Sequence, residues 1–279
     1  IHGQMELDAY GYVMAYGEFY LFKGEVEDVN DGSIAVFDAK VLSLSFLDVS
    51  LFAGVGGKFI RDAGSGEPTG FDRDSGAVGF YVSDANLSLS ILQNSATPTQ
   101  KYLGLEFTLD GLGLEGIQGL TFQVNDAYLR VNWASEGARL NWVEAYENDQ
   151  STPVKKIAEF TELTSDVALQ IHGQMELDLF GFVMAYGEFY LFKGEVEDVN
   201  DGSIAAFDAD VLSIDLRLAS VFAGTGGKFI RDGDGEPIGF DHGSGAVGFY
   251  VDNANLSLSV LQNAATPTLK YLGLEFTLD

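Results

Sequence analysis

An all-β fold of long antiparallel strands, drawn into an extended sheet stack or a solenoid-like repeat array, is what this 279-residue sequence predicts. Three observations carry that expectation. Apolar and polar residues alternate at period two through most of the chain, the mark of strands with two unlike faces. Glycine (34 residues) and an Asn-Asp-Gly triplet at 30–32 supply tight turns between the alternating runs. Finally, the opening residues IHGQMELD return unchanged at 171–178, and a long internal period is the signature of repeat architectures.

The repeat sets the organisation. Residues 1–110 match 171–279 at about four in five positions, with one deletion where RDAGSGEP becomes RDGDGEP; residues 111–170 occur once. The chain therefore reads as a first unit (1–110), a spacer (111–170) and a second unit (171–279). It opens in mid-pattern without a methionine, so the expectation is a window onto a longer array with a period of about 170 residues; the other reading is a single internal duplication that left a two-lobed protein.

The strands follow in order. GEFYLFKGEVEDV (17–29) leads into the Asn-Asp-Gly turn. LSLSFLDVSLF (42–52) becomes LSIDLRLASVF (212–222) in the second unit: Ser45 and Leu47 are replaced by Asp215 and Arg217, while Leu42, Leu44 and Phe46 stay apolar as Leu212, Ile214 and Leu216. One parity accepts charge and the other does not. Leu42, Leu44, Leu212 and Ile214 are thus expected to be buried, and Ser45, Leu47, Asp215 and Arg217 to face water or a polar seam. Asp48 against Leu218 breaks the alternation and marks a bulge or strand end. The Gly-rich loop 54–57 turns the chain, and ANLSLSIL (85–92), KYLGLEFTLDGLGLEGI (101–117) and LTFQVNDAYLRVNW (120–133) continue the series, the last with a shift at Asn125–Asp126. Several runs reach about 10 residues or more, roughly 35 Å, beyond the usual strand of about 5–6 residues. One short helix is expected after Thr152-Pro153, over VKKIAEF, and ENDQSTP (147–153) reads as a flexible joint.

Composition narrows the function classes. Forty-two acidic against fifteen basic residues leave a formal charge of −27, which opposes nucleic acid and anionic membrane surfaces. The absence of cysteine removes disulfides, thiolate metal sites and cysteine nucleophiles. No apolar run is long enough for a membrane helix. His2, His172 and His242 fall in no metal or triad spacing, and FAGVGGKF lacks the phosphate-loop pattern, so no enzyme is expected.

Calcium is the cofactor the residues raise. Asp232, Asp234 and Glu236 alternate in RDGDGEPIGFD, with Asp241 beyond; the first unit offers Asp62, Glu67, Asp72 and Asp74. Hard oxygen ligands on every second residue of a turn suit Ca²⁺, although Pro237 stands where an EF-hand needs glycine. The other reading is an acidic hairpin kept soluble by charge. The aromatic stretch GYVMAYGEFYLFKG (11–24) also has two readings, a lipid-facing groove or barrel wall and core packing between two facing sheets.

Taken together, GFVMAYGEFYLFKG, FAGTGGKF, SGAVGFYVDNANLSLSVL and KYLGLEFTLDGLGLEGIQGLTF resemble repeat units of giant repetitive secreted or cell-surface bacterial proteins, the adhesin-like arrays. That resemblance implies β-rich repeats, an extracellular or cell-surface bacterial setting and adhesion; the calcium nonapeptide Gly-Gly-x-Gly-x-Asp is absent. The expected function is a non-catalytic structural module of a fibre, sheath or giant surface protein. Its partner is another copy of itself, head to tail, with residues near 279 meeting the equivalent of residues near 1 or 111. The alternative is a binding protein that holds lipid or carbohydrate in a groove between long sheets.

Overall fold

A computed structural model describes residues 1–72, 76–152, 154–200, 202–233, 235–241, 243 and 245–278. The strands are β1 (His2–Ala9), β2 (Val13–Val29), β3 (Phe37–Val55), β4 (Lys58–Arg61), β5 (Pro68–Asp72), β6 (Val78–Asn94), β7 (Lys101–Glu115) and β8 (Leu120–Ala134). After the helix α1 (Trp142–Glu147) come β9 (Val167–Leu179), β10 (Val183–Val199), β11 (Phe207–Thr225), β12 (Phe229–Arg231), β13 (Pro237–Phe240), β14 (Val247–Asn263) and β15 (Lys270–Thr277). Among the described residues, eleven of them form one antiparallel meander in the order β1-β2-β3-β6-β7-β8-β9-β10-β11-β14-β15. The hairpins β4–β5 and β12–β13 stand apart as two-stranded sheets. The all-β expectation of long antiparallel strands holds. The prolines agree with it: Pro68 and Pro237 open the first strand residue of their hairpin arms, where no ladder donor is needed.

A seam of bulges crosses the sheet. Asp48, Asp84, Asp126, Leu218 and Asn253 all have φ near +50°, and pairing shifts register beside each of them where β3, β6, β8, β11 and β14 meet their neighbours. The breaks expected at Asp48/Leu218 and at Asn125–Asp126 are these bulges. The freed amides find side-chain acceptors in the same way in both units. Asp48 N donates to Asn86 Oδ1 and Leu218 N to Asn255 Oδ1, each at 3.0 Å. Asp84 N and Asn253 N donate to Ser50 Oγ and Ser220 Oγ. Unpaired backbone is thereby avoided in the middle of the sheet.

One face of the sheet is covered. Residues 135–152 and 154–166, between β8 and β9, fold back as a cap whose Leu140, Trp142, Ile157, Phe160 and Leu163 are buried against Val26, Val41, Leu92 and Tyr102. Each such side chain contributes about 1.5–3 kcal/mol by leaving water. On the same face, hairpin β4–β5 brings Phe59 and Phe71 against Met14, Phe52 and Tyr81, and β12–β13 repeats this with Phe229 and Phe240 against Met184, Tyr186 and Phe222. Each hairpin is pinned by an arginine: Arg61 pairs with Glu6, and Arg231 with the buried Glu176.

Three expectations are corrected. The aromatic stretch 11–24 does not pack between two large facing sheets: the cap lies against Phe22, and only the two-stranded hairpin β4–β5 lies over Met14 and Tyr16. The helix is not at 154–160 but at Trp142–Glu147, where the Asn141 side chain accepts Glu144 N and Trp142 and Ala145 turn inward. Residues 154–160 cannot wind because their donors are committed elsewhere: Lys156 N and Ile157 N to Asp149 Oδ2, and Ala158 N to Ser90 Oγ. Those same bonds make 147–152 a fastened turn with Asp149 buried, not a joint.

The fourth correction concerns parity. Ser43 and Ser90 are buried, their hydroxyls 2.8 Å apart, while Leu42 and Leu212 are 37% and 40% exposed and Leu44 and Ile214 partly exposed. The leucine rows do not lie under the cap; beside Val26, Val41, Leu92 and Tyr102 the covered face carries serine and glycine where the cap comes closest, at Ser90 and Gly104. A Cβ on Gly104 would come within 2.6 Å of the Trp142 indole.

Candidate association surface

The leucine rows line the opposite face, and the register aligns them. Reading across ten strands from β2 to β15, directly paired residues are Phe19, Phe46, Leu87, Phe107, Leu129, Ile171, Leu191, Ile214, Leu258 and Leu274. No polar residue interrupts this row. Beside it run Leu44, Leu89, Leu105 and Val131, also in register. No cap or hairpin of the described residues covers this face, and all these side chains are partly or fully exposed. Trp133 is 50% and Phe80 50% exposed on the same face. A continuous apolar surface of this kind is far from the scattered single leucines found on any protein.

The sheet is also open at both ends. Among the described residues β1 and β15 each pair with one neighbour, β2 and β14. Edge strands present a row of free N–H and C=O groups. The β15 edge exposes Leu272 at 71%, Leu274 at 65% and Phe276 at 59%, and the β1 edge exposes Ile1 and Leu7 among polar residues.

The acidic residues singled out for calcium shape the hairpins. Asp62 Oδ1 accepts Gly64 N, Ser65 N and the Ser65 hydroxyl, and the bonds from Ser65 and Gly64 hold its carboxyl below the usual aspartate range. Asp62 N in turn donates to Glu67 O. In the second hairpin Asp232 Oδ1 accepts Glu236 N, and Asp241 Oδ1 accepts Gly243 N. Asp72 ends β5 opposite Lys58. Asp74 and Asp234 lie outside the described residues. Among the described residues no group of three or more His, Cys, Asp and Glu side chains is placed to hold a metal ion.

The segment 25–32, which runs from the end of β2 into the Asn-Asp-Gly turn, holds an acidic residue with a different role. Asp31 is buried, and its carboxylate accepts Ser33 N, Ser33 Oγ, Ile34 N and, across 110 residues, Asn141 N. Burial opposes its ionisation, but the donors from Ile34, Ser33 and Asn141 hold the carboxyl below its ordinary range. It is a clasp for the cap. Glu106, Asn132 and Arg130, none of which the alternation singles out, serve the cap similarly: Glu106 accepts Thr161 N and Glu162 N, and Arg130 reaches Glu162 at 2.7 Å. Polar residues on the covered parity of β7 and β8 were the available signal.

A cleft of about 660 Å³ between the cap and β2–β3 is lined by His2, Tyr20, Phe22, Val154 and Lys156, with the His2 and Tyr20 rings stacked at 3.9 Å. Compared with known proteins, the chain matches no family model, no curated protein and no solved structure. Among the described residues no helix is long and apolar enough to cross a membrane.

Proposed function

We propose that this chain is a non-catalytic structural module of an extracellular or cell-surface β-rich assembly, acting by association of its sheet with further copies. The observation that carries this reading is the uncovered apolar face that runs in register across ten strands. A second apolar sheet is its best complement: two such faces stack about 10 Å apart and bury each other's leucines. A lipid bilayer suits the face less well. Asp48, Asp84, Asp110 and Asp126 are exposed near mid-strand, where ionised carboxylates are costly in hydrocarbon, and two open edges would leave backbone groups unpaired there. The resemblance to adhesin-like arrays and the internal repeat support the same reading.

Sedimentation of the chain over a wide concentration range, alongside a Leu44→Asp/Leu105→Asp variant, tests it. The parent is expected to form oligomers or polymers, and the variant to remain folded with association weakened. A parent that stays monomeric at every concentration would overturn the reading.

The second reading, a binding module, rests on the aromatic cleft at His2 and Tyr20, whose size falls within the range of about 300–1,000 Å³ typical of small-ligand sites. A stacked aromatic pair suits a sugar ring. Loss of glycan binding in Tyr20→Ala, in a screen where the parent binds, would favour it.

A further inference from the structure

The two sheet edges repeat strand surfaces that are already partnered inside the molecule. KYLGLEFTLD occurs at 101–110, beginning β7, and again at 270–279, which contains β15; IHGQMELD occurs at 171–178 in β9 and at 1–8 in β1. Inside the chain, β7 and β9 are not neighbours. They flank β8, which pairs with both: Leu103, Leu105 and Phe107 face Trp133, Val131 and Leu129, and Leu129 faces Ile171 on its other side. Among the described residues, each outer edge of the sheet therefore presents the strand surface that pairs with β8 inside the chain.

The consequences are read in the same side chains. Tyr102 is 1% exposed and its counterpart Tyr271 38%; Leu109 is 9% and Leu278 58%. No cap segment of the described residues lies beside β15. Trp142 fills the space over Gly104, whereas nothing lies within 4 Å of a Cβ on Gly273. Ser90 is fully buried under Ala158, whereas Ser259 is partly exposed.

Strand direction sharpens the point. Among the described residues the sheet has eleven strands, all antiparallel to their neighbours, so β1 and β15 run the same way. Two copies set head to tail would bring β15 and β1 together as a parallel pair, the less stable pairing and one absent from the rest of this sheet. One intervening strand of opposite direction restores the alternation, and β8 is that strand between β7 and β9.

We propose that the β15 edge and the bare face beside it form an acceptor site for a second strand-plus-cap segment with the chemistry of residues 111–166. The strand would supply the Leu-x-Val-x-Trp alternation of 129–133, and the cap an indole for the slot over Gly273. This rests on the assembly reading above and names what joins one unit to the next.

The test lengthens the full chain by a second copy of residues 111–170 placed after Asp279, which holds the segment at high effective concentration. Hydrogen exchange at 271–276 is expected to slow on the order of tenfold or more relative to the parent chain. Gly273→Leu should leave the melting temperature of the parent unchanged but lower that of the lengthened chain, as Gly104→Leu does in both. Unchanged exchange at 271–276, or a neutral Gly273→Leu in the lengthened chain, would overturn the proposal. If the parent alone associates and protects 271–276 by pairing β15 with β1 or with a second β15, the acceptor site fails while the assembly reading stands. A lengthened chain that shows no protection, with a parent that stays monomeric, removes both.

Discussion

The Trp142 indole donates to Asn132 Oδ1 at 3.0 Å, while the Asn132 amide donates to Leu140 O at 2.8 Å and Thr164 O at 2.9 Å. One asparagine on β8 thus ties both ends of the cap and its central ring to the sheet, in a site where it is 3% exposed. Asn132→Ala leaves two buried groups and the partly buried Thr164 carbonyl without partners, so a loss of about 2–4 kcal/mol in unfolding free energy is expected. Chemical denaturation followed by tryptophan fluorescence checks it; a loss below that of an ordinary surface substitution would show that the cap is held by apolar contact alone.

Leu218 stands at a bulge with φ +52°, where the first unit has Asp48 at +50°. A left-handed backbone strains a leucine and suits Asn or Asp. The side chain is 50% exposed, so little packing is lost on replacement. Leu218→Asn is expected to stabilise the protein by about 1 kcal/mol, seen as a higher denaturation midpoint at unchanged slope. A destabilised variant would mean that the leucine contributes more through contact than it costs in strain.

Acid should loosen the cap before the rest of the sheet. Burial opposes ionisation of Asp31 and Asp149, yet hydrogen bonds from Ile34, Ser33 and Asn141 to the first, and from Ser151, Ile157 and Lys156 to the second, hold both carboxyls below the ordinary range. A carboxyl depressed in the folded state stabilises at pH above its unfolded value of about 4 and loses that contribution as pH falls through the folded values. Cap stability is therefore expected to be level at neutral pH and to fall below about pH 4, measured through Trp142 fluorescence. Asp149→Asn should weaken the cap at neutral pH and flatten the acid transition. An acid transition unchanged in this variant would assign the pH dependence to other carboxylates.

Strand identity was legible without the fold, since period two and the turn residues are local properties of the chain. The differences between the two units located the bulge at Asp48 and Leu218, because only an irregular position tolerates such an exchange there. The cap was not legible. Its helix starts after Asn141 because that side chain caps Glu144 N and Trp142 settles over Gly104 of β7, and Asp149 takes the donors that a helix at 154–160 would need. Above all, alternation separates two faces of a sheet but does not say which one is covered. The leucine parity looked like the inside, yet the cap approaches the serine parity, where small side chains such as Ser43, Ser90 and Gly104 admit another backbone. By itself the sequence determined that the chain is a repeat of long antiparallel strands. Only the tertiary structure decided which face the cap covers and which strands become neighbours, because coverage and pairing depend on segments distant in the chain.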